Sequence, residues 1–245
     1  MVRAFSMKDI GKKRNLNQDY IYASEEKTGN LPNIFIVADG MGGHKAGEYA
    51  SRYTVETMVA EIEKAREEDP VEILKKAIHV ANEGVRRQAR EHTDMFGMGT
   101  TVVAAVCQGT HLYVANVGDS RLYIVNGGIR QITKDHSLVE EMVRMGGIDR
   151  ESARNHPDKN IITRAIGARE DVEIDFFKED ISASDIILLC SDGLTNMLED
   201  EEIRQILKEE AAIETKAQQL VEAANQNGGK DNISVIIIEP LVDEE

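Results

Sequence analysis

Five aspartates lie where apolar runs of the sequence begin or end. Asp39 and Asp192 each close such a run, and each is followed by a glycine. Asp231 precedes the last apolar run, Asp119 lies in a short polar connection, and Asp19 directly precedes a further run. A single aspartate in such a place is ordinarily a turn residue or a helix cap. Five of them instead predict carboxylates that converge on the rim of a rigid sheet.

A convergent group of carboxylates predicts a site for divalent cations. Carboxylates held close together repel one another, and only bound cations or raised pKa values make such a group tolerable. Oxygen ligands without histidine or thiolate partners suit Mg²⁺ or Mn²⁺ and argue against Zn²⁺. The glycines after two of the aspartates, Gly40 and Gly193, would let a backbone carbonyl or a substrate oxygen approach closely. The residue types therefore predict a carboxylate metal site.

Short apolar runs rich in β-branched residues predict the strands that must carry these aspartates. They cover residues 33–37, 100–107, 111–117, 121–125, 129–133, 186–190 and 232–238, with weaker candidates at 2–7, 20–24 and 172–177. Tight connections at 108–110 and 118–120 predict that the stretch 100–125 is an antiparallel meander.

Apolar residues at helical spacing predict helices between the strands. The predicted helices cover residues 45–67, 71–91, 138–145, 201–210 and 214–227. Antiparallel strands combined with helices in pairs indicate an α+β fold rather than a parallel βαβ sheet. Two sheets packed on each other and flanked by helices would satisfy this order.

Composition narrows the class of protein. The 245 residues are 41% hydrophobic, and because no linker or low-complexity tract divides them, we expect a single domain over 1–245. The formal net charge of −15 argues against binding to nucleic acid or to anionic membranes. The 2 cysteines form no C-x-x-C pair, which argues against a disulfide framework or a thiolate zinc site. Without a signal peptide or a long apolar run, the cytoplasm is the expected location.

Eight short motifs occur in an order that resembles a known enzyme family. They are R14-N-L-N-Q-D19, V37-A-D-G-M-G-G-H44, M98-G-T-T101, N116-V-G-D-S-R121, T133-K-D-H-S137, T163-R-A-I-G167, C190-S-D-G-L194 and D231-N-I-S234. Together they resemble the metal-dependent protein phosphatases of the PP2C type, in particular the compact bacterial members. The resemblance implies a four-layer α/β/β/α sandwich, in which two antiparallel sheets pack face to face and a helix pair covers each outer face.

The resemblance also implies a role for each aspartate in binding two core ions and a weaker third ion. Asp39 would bridge the two core ions, with Asp192 and Asp231 on the first. The carbonyl of Gly40 would bind the second ion, and Asp19 would serve it through water. Asp119 would hold the third ion together with Asp192. Whether the ions are Mn²⁺ or Mg²⁺ stays open.

Two further positions bear on catalysis. The resemblance implies that Arg14 binds the substrate phosphate, to which a guanidinium can donate two parallel hydrogen bonds. Met41 stands where animal relatives have a histidine that is a candidate general acid, and methionine cannot donate a proton. His44 lies nearby, but we interpret it as the beginning of the following helix and expect metal-bound water to supply the proton.

The predicted function is hydrolysis of phosphoserine and phosphothreonine in proteins by a metal-activated water, which would reverse the action of a partner Ser/Thr kinase. Two alternatives stay open: a binding module that has lost its chemistry, and a hydrolase of phosphorylated small molecules. The segment 136–162 combines a short helix with a polar stretch. We expect it to form a flap beside the metals that influences the choice of substrate.

Overall fold

Two antiparallel sheets form the centre of the computed structural model, which describes residues 1–43 and 45–241. The strands are β1 (Val2–Asp9), β2 (Asp19–Ser24), β3 (Ile34–Met41), β4 (Gly99–Thr100), β5 (Val102–Gln108), β6 (His111–Val117), β7 (Arg121–Asn126), β8 (Gly128–Gln131), β9 (Asp175–Asp180), β10 (Ile186–Cys190) and β11 (Ile233–Pro240). The first sheet has the order β1-β11-β10-β7-β8. The second has the order β2-β3-β5-β6-β9, and β4 pairs with β3 beside it.

Helices cover the outer face of each sheet. The α-helices of the described residues are α1 (Ala46–Glu63), α2 (Pro70–Glu91), α3 (Leu138–Arg144), α4 (Arg150–Arg154), α5 (Asp192–Thr195), α6 (Asp200–Lys208) and α7 (Ile213–Gln226), and two pairs of them form the outer layers. The pair α1 and α2 packs on the second sheet, and the pair α6 and α7 packs on the first. This arrangement confirms the predicted four-layer α/β/β/α sandwich.

Alternation along the strands produces three apolar layers. In β3, Ile34 and Ile36 point toward α1 and α2, whereas Phe35 and Val37 point toward the other sheet. Strand β10 alternates in the same way, since Leu188 packs under α6 and α7 and its neighbours pack between the sheets. Because successive side chains of a strand face opposite sides, a strand buried on both faces must be apolar throughout. This requirement explains why these strands are continuous apolar runs.

The predicted meander over 100–125 is wrong in part. Strands β5 and β6 pair as expected, but β7 pairs with β10 and β8 in the other sheet. The connection 118–120 therefore carries the chain from one sheet to the other, and β9 occupies the free edge of β6. That strand begins at Asp175, three residues after the predicted start of the 172–177 run.

The helix ends follow local chemistry. Pro70 is the first residue of α2, and the side chain of Asp69 caps this helix by accepting a hydrogen bond from the Val71 N–H. Helix α1 ends at Glu63, earlier than the predicted end at 67. None of the helices in the described part of the chain has both the length and the apolar character of a membrane-crossing segment.

Candidate functional site

The second sheet brings two of the predicted aspartates face to face. Asp19 begins β2 and is the register partner of Asp39 in β3. Residues of the adjoining strand hold Asp39 by its backbone. Its N–H donates to Thr101 Oγ1 at 2.9 Å, and its carbonyl accepts from Thr100 Oγ1 at 2.8 Å. Thr101 lies between β4 and β5, so the strand that pairs with β3 is interrupted at the residue that bonds to the Asp39 N–H.

The first sheet supplies two more aspartates at the same end of the sandwich. Asp192 lies two residues after the end of β10 and opens α5, and Asp231 lies two residues before the start of β11. Asn196, one turn further along the chain, donates to Asp192 Oδ2 at 2.8 Å. Gly193 has to be glycine here, because an added Cβ would lie 1.9 Å from the carbonyl oxygen of Asn232.

A small cleft of about 250 Å³ opens between these strand ends. Its lining residues are Arg14, Gln18, Asp39, Gly40, Met41, Gly42, Thr101, Asp119, Asn160, Ile162, Asp192, Asp231 and Asn232. The structure thus brings all but one of the predicted site residues to one cleft. The exception is Asp19, which is only 2% exposed and lies beneath the cleft, between the sheets.

Burial and mutual repulsion raise the pKa values of four carboxyls, those of Asp19, Asp39, Asp119 and Asp192. Burial raises the pKa of Asp19 to about 7, although hydrogen bonds from two serines act in the opposite direction. Burial and then the charge of Asp231 raise the pKa of Asp192 to about 6. The pKa values of Asp39 and Asp119 rise well above the usual range, first through burial and then through neighbouring aspartates. Without cations these four carboxyls therefore bind protons more tightly than free aspartates do.

Two serines that the sequence interpretation missed hold Asp19 in place. Ser191 Oγ and Ser234 Oγ donate to the same carboxylate oxygen, Asp19 Oδ2, at 2.8 and 2.7 Å. The other oxygen, Oδ1, is buried and has no hydrogen-bond partner among the residues that the structure describes. Both serines lie inside motifs quoted above, C190-S-D-G-L194 and D231-N-I-S234, but neither motif indicates which side chain its serine contacts.

Asn232 is a second residue that sequence reasoning missed. Its Oδ1 accepts from the Gln18 N–H at 2.8 Å, and its Nδ2 donates to the carbonyls of Ile10 and Leu16 at 3.0 Å each. These bonds anchor the loop 10–18 at the mouth of the cleft. That loop carries Arg14, whose half-exposed guanidinium donates to Asp231 Oδ2 at 2.7 Å.

The donor set fits divalent cations in kind. Within residues 1–43 and 45–241, Oδ1 of Asp19 is buried without a hydrogen-bond partner. At Gly40 a Cβ would lie 2.0 Å from the Gly47 carbonyl, so only glycine allows this backbone path. All the converging groups are hard oxygen donors, as Mg²⁺ or Mn²⁺ requires. No group of three or more carboxylate, imidazole or thiolate side chains in residues 1–43 and 45–241 is already arranged as a metal site. Asp231 Oδ2 is bonded to Arg14, so a cation held by Asp231 would compete with this ion pair.

The segment 136–162 forms a projection beside the cleft. Its two ends pair through Ser137 and Ile162, and it contains α3 and α4. Between this segment and the beginning of α6 lies a larger cleft of about 630 Å³, which shares Asp119 and Asp192 with the small one. Arg154 fastens the projection to the core through Glu199 at 2.6 Å and the Leu198 carbonyl at 2.7 Å. The segment thus lies beside the aspartates, and its role as a flap that influences the choice of substrate stays a prediction.

Two other predictions concern single residues. Met41 is the last residue of β3 and lines the small cleft. His44 lies outside the described residues, so its predicted role at the start of the following helix stays a prediction.

Comparison with known proteins yields consistent matches. The family model described as protein phosphatase 2C matches residues 11–234. The serine/threonine phosphatase stp of Listeria monocytogenes is 44% identical over 236 residues, which cover 94% of this chain and 93% of that protein. The crystal structure of the serine/threonine phosphatase Stp1 from Staphylococcus aureus has a TM-score of 0.92 at 36% identity, covering 98% of this chain and 95% of that one. The catalytic domain of the serine threonine protein phosphatase PstP, solved with 2 manganese ions, has a TM-score of 0.86 at 33% identity and 97% coverage of both chains.

Proposed function

The chain belongs to the protein phosphatase 2C family, and we propose that it hydrolyses phosphoserine and phosphothreonine in proteins in a metal-dependent reaction. The observation that carries the proposal is the cleft in which Asp39, Asp119, Asp192 and Asp231 converge beside Arg14. Five buried or half-buried carboxyls at one end of a rigid sandwich, Asp19 included, are costly unless cations occupy them.

We assign the metal-binding roles as the sequence predicted them. Asp39 would serve both core ions, Asp192 and Asp231 would hold the first, and the Gly40 carbonyl and, through water, Asp19 would hold the second. The structure of PstP with 2 manganese ions supports two ions and makes Mn²⁺ the first ion to test. Asp119, together with Asp192, is proposed to hold a weaker third ion.

The chain's own residues have distinct tasks around the substrate. When bound, the ions neutralise phosphate charge and lower the pKa of water. Arg14 would bind the equatorial phosphate oxygens, since it stands at the mouth of the cleft, where its guanidinium donates to Asp231 in the absence of substrate. Asn232 keeps the Arg14 loop in place through three backbone bonds. Met41 has no proton to donate and therefore cannot act as the general acid.

The flap and the wider context complete the proposal. The segment 136–162 borders both clefts, so it can contact the peptide on either side of the phosphorylated residue. The apolar layer shared by the two sheets supports a single domain over 1–245. Phosphorylated proteins as substrates imply a Ser/Thr kinase that modifies the same proteins. A cytoplasmic location stays a prediction from the sequence.

The decisive experiment measures phosphate release from a phosphothreonine peptide. Purified protein is assayed with EDTA, with Mg²⁺ and with Mn²⁺, beside Asp39→Ala and the matched exposed control Asp171→Ala. We expect activity that requires added metal, disappears in Asp39→Ala and is unchanged in Asp171→Ala. A folded wild type without activity under any metal would favour the binding module. Activity on sugar phosphates but not on the phosphopeptide would favour the small-molecule hydrolase.

A further inference from the structure

A buried histidine lies outside the cleft but is bonded to the turn that carries one of its aspartates. His136 is 6% exposed and is not among the residues that line the small cleft. The ring Nδ1 of His136 accepts a hydrogen bond from the Gly118 N–H at 3.0 Å, and the backbone N–H of His136 donates to the Gly118 carbonyl at 3.0 Å. His136 thus bonds both polar backbone groups of Gly118, the residue directly before Asp119.

These contacts fix the proton on the other ring nitrogen. A backbone N–H can only donate, so Nδ1 must be the unprotonated nitrogen of a neutral ring. The Nε2 proton is then directed at Asp175 Oδ2, 3.1 Å away. Arg164 Nη1 lies 3.3 Å from Nε2, but as a donor it is satisfied by Asp175 Oδ1 at 2.9 Å. The carboxylate therefore orients the imidazole, and Arg164 orients the carboxylate.

The Gly118 turn has little freedom on its other sides. Gly118 has φ of +109°, which favours glycine, and an added Cβ would lie 2.6 Å from Thr101 Cγ2. Thr101 Oγ1 lies 2.7 Å from Ser120 Oγ and also accepts a hydrogen bond from the Asp39 N–H. The turn 118–120 is therefore in contact with the threonine that holds the backbone of Asp39. The side chain of Asn116 donates to the Gly118 carbonyl at 3.3 Å. A change at His136 would consequently be transmitted to Asp119 on the next residue.

We propose that His136 is a positioning residue that holds the turn 118–120 so that Asp119 presents its carboxylate to the cleft, with Asp175 and Arg164 setting the orientation of the ring. The inference rests on the proposed function, because the ion that Asp119 serves is the weaker third one. It explains why two of the eight motifs, T133-K-D-H-S137 and T163-R-A-I-G167, contribute a histidine and an arginine without placing either in the small cleft. A buried histidine with a merely structural role would stabilise the fold without affecting the third ion.

The first test observes the bond itself in the metal-free protein. NMR of uniformly ¹⁵N-labelled wild type should show the Nε2–H tautomer of His136 and a scalar coupling between the Gly118 amide nitrogen and His136 Nδ1 across the hydrogen bond. Neither signal depends on catalysis or on metal. The Nδ1–H tautomer, or the absence of the coupling, would overturn the proposal.

The second test counts bound Mn²⁺ by calorimetry in three variants that have been checked for folding by thermal unfolding. His136→Ala should weaken the third ion by about 10–100-fold, the usual range for a lost partner behind a metal ligand, and leave the two tighter ions unchanged. His136→Asn should stay within about threefold of wild type, because Asn Oδ1 replaces Nδ1 as the acceptor for Gly118. His111→Ala removes another histidine–aspartate pair, exposed on the second sheet, and should change nothing.

The outcomes separate this inference from the proposed function. A folded His136→Ala protein with wild-type affinity for the third ion would show a structural role only and would refute the positioning role. If His136→Ala does not fold, the NMR coupling and the Mn²⁺ affinity of His136→Asn test the positioning role instead. A wild type that binds only two ions would remove the third ion from the proposed function, while the coupling would still report directly on the turn.

Discussion

Replacing Asp19 with asparagine should stabilise the metal-free protein while damaging its metal site. Asp19 is 2% exposed, and asparagine matches its shape without its charge. The remaining carbonyl oxygen of the amide can accept from Ser191 and Ser234, which now bond to Asp19 Oδ2. The variant therefore removes a buried charge and keeps the hydrogen bonds that hold the side chain.

The magnitude follows from the pKa of Asp19, which burial raises from 3.8 to about 7. Each unit of difference between the folded and unfolded pKa corresponds to about 1.4 kcal/mol, so the ionised side chain costs about 4 kcal/mol at pH 8. A carboxyl whose pKa is raised binds its proton more tightly in the folded state. The destabilisation of the folded state by the Asp19 carboxyl is therefore absent below pH 3.8 and grows as the pH rises toward 7. At pH 5 the expected cost is accordingly only about 2 kcal/mol.

The assay is urea unfolding in EDTA at pH 5 and pH 8, for wild type, Asp19→Asn and the exposed control Asp171→Asn. Asp19→Asn should raise the free energy of unfolding at both pH values and by about twice as much at pH 8, on the order of 4 against 2 kcal/mol. The control should be unchanged. Added Mn²⁺ should reverse the order of stability at pH 8, because only the wild type offers the full set of carboxylates. An Asp19→Asn protein that gains no more stability at pH 8 than at pH 5 would refute the reasoning.

Four further predictions concern activity. Arg14→Ala should lower kcat/KM on a phosphothreonine peptide about 100-fold because it removes a charged phosphate contact. The control Arg3→Ala removes a surface ion pair and should have no effect. Equal effects of the two substitutions would contradict the role of Arg14. Asp119→Ala should leave calorimetric binding of the two core ions intact yet depress turnover, and unchanged turnover would make it a turn residue. Replacing residues 138–161 with a short loop should reduce activity on phosphopeptides more than on a small aryl phosphate; an equal reduction would remove the specificity role. His44→Ala should change turnover only modestly, whereas a loss of about 100-fold or more would identify it as a general acid.

Much of the fold was predictable because its strands are buried on both faces. The run from Ile34 to Ala38 packs against helices on one side and the other sheet on the other, so every position is apolar and the strand is visible in the sequence. The aspartates were predictable for a related reason, since the end of such a run is where a polar side chain can first occur. Both signals are local, and a single sequence contains them.

The contacts between distant segments were not predictable. The sequence around 118–120 resembles a hairpin turn, but whether the chain folds back or crosses to another sheet depends on which edges other strands occupy. Here β9 and β10 occupy those edges. The bond from Ser234 to Asp19 joins residues 215 positions apart. A serine can bond to many partners, so its residue type alone does not identify the one it selects.

Each sheet contributes its own share of the carboxylates, Asp19 and Asp39 from one and Asp192 and Asp231 from the other. The distance between these two pairs of aspartates is set by how the sheets pack, and hence by the thickness of the apolar layer between the sheets. Val103 and Leu189 belong to that layer and are fully buried. Substitutions there that alter side-chain volume would move one set of carboxylates relative to the other without touching the cleft. Selection for catalysis in this protein should therefore restrict side-chain size deep in its interior, so that part of the core is tuned for activity as well as for stability.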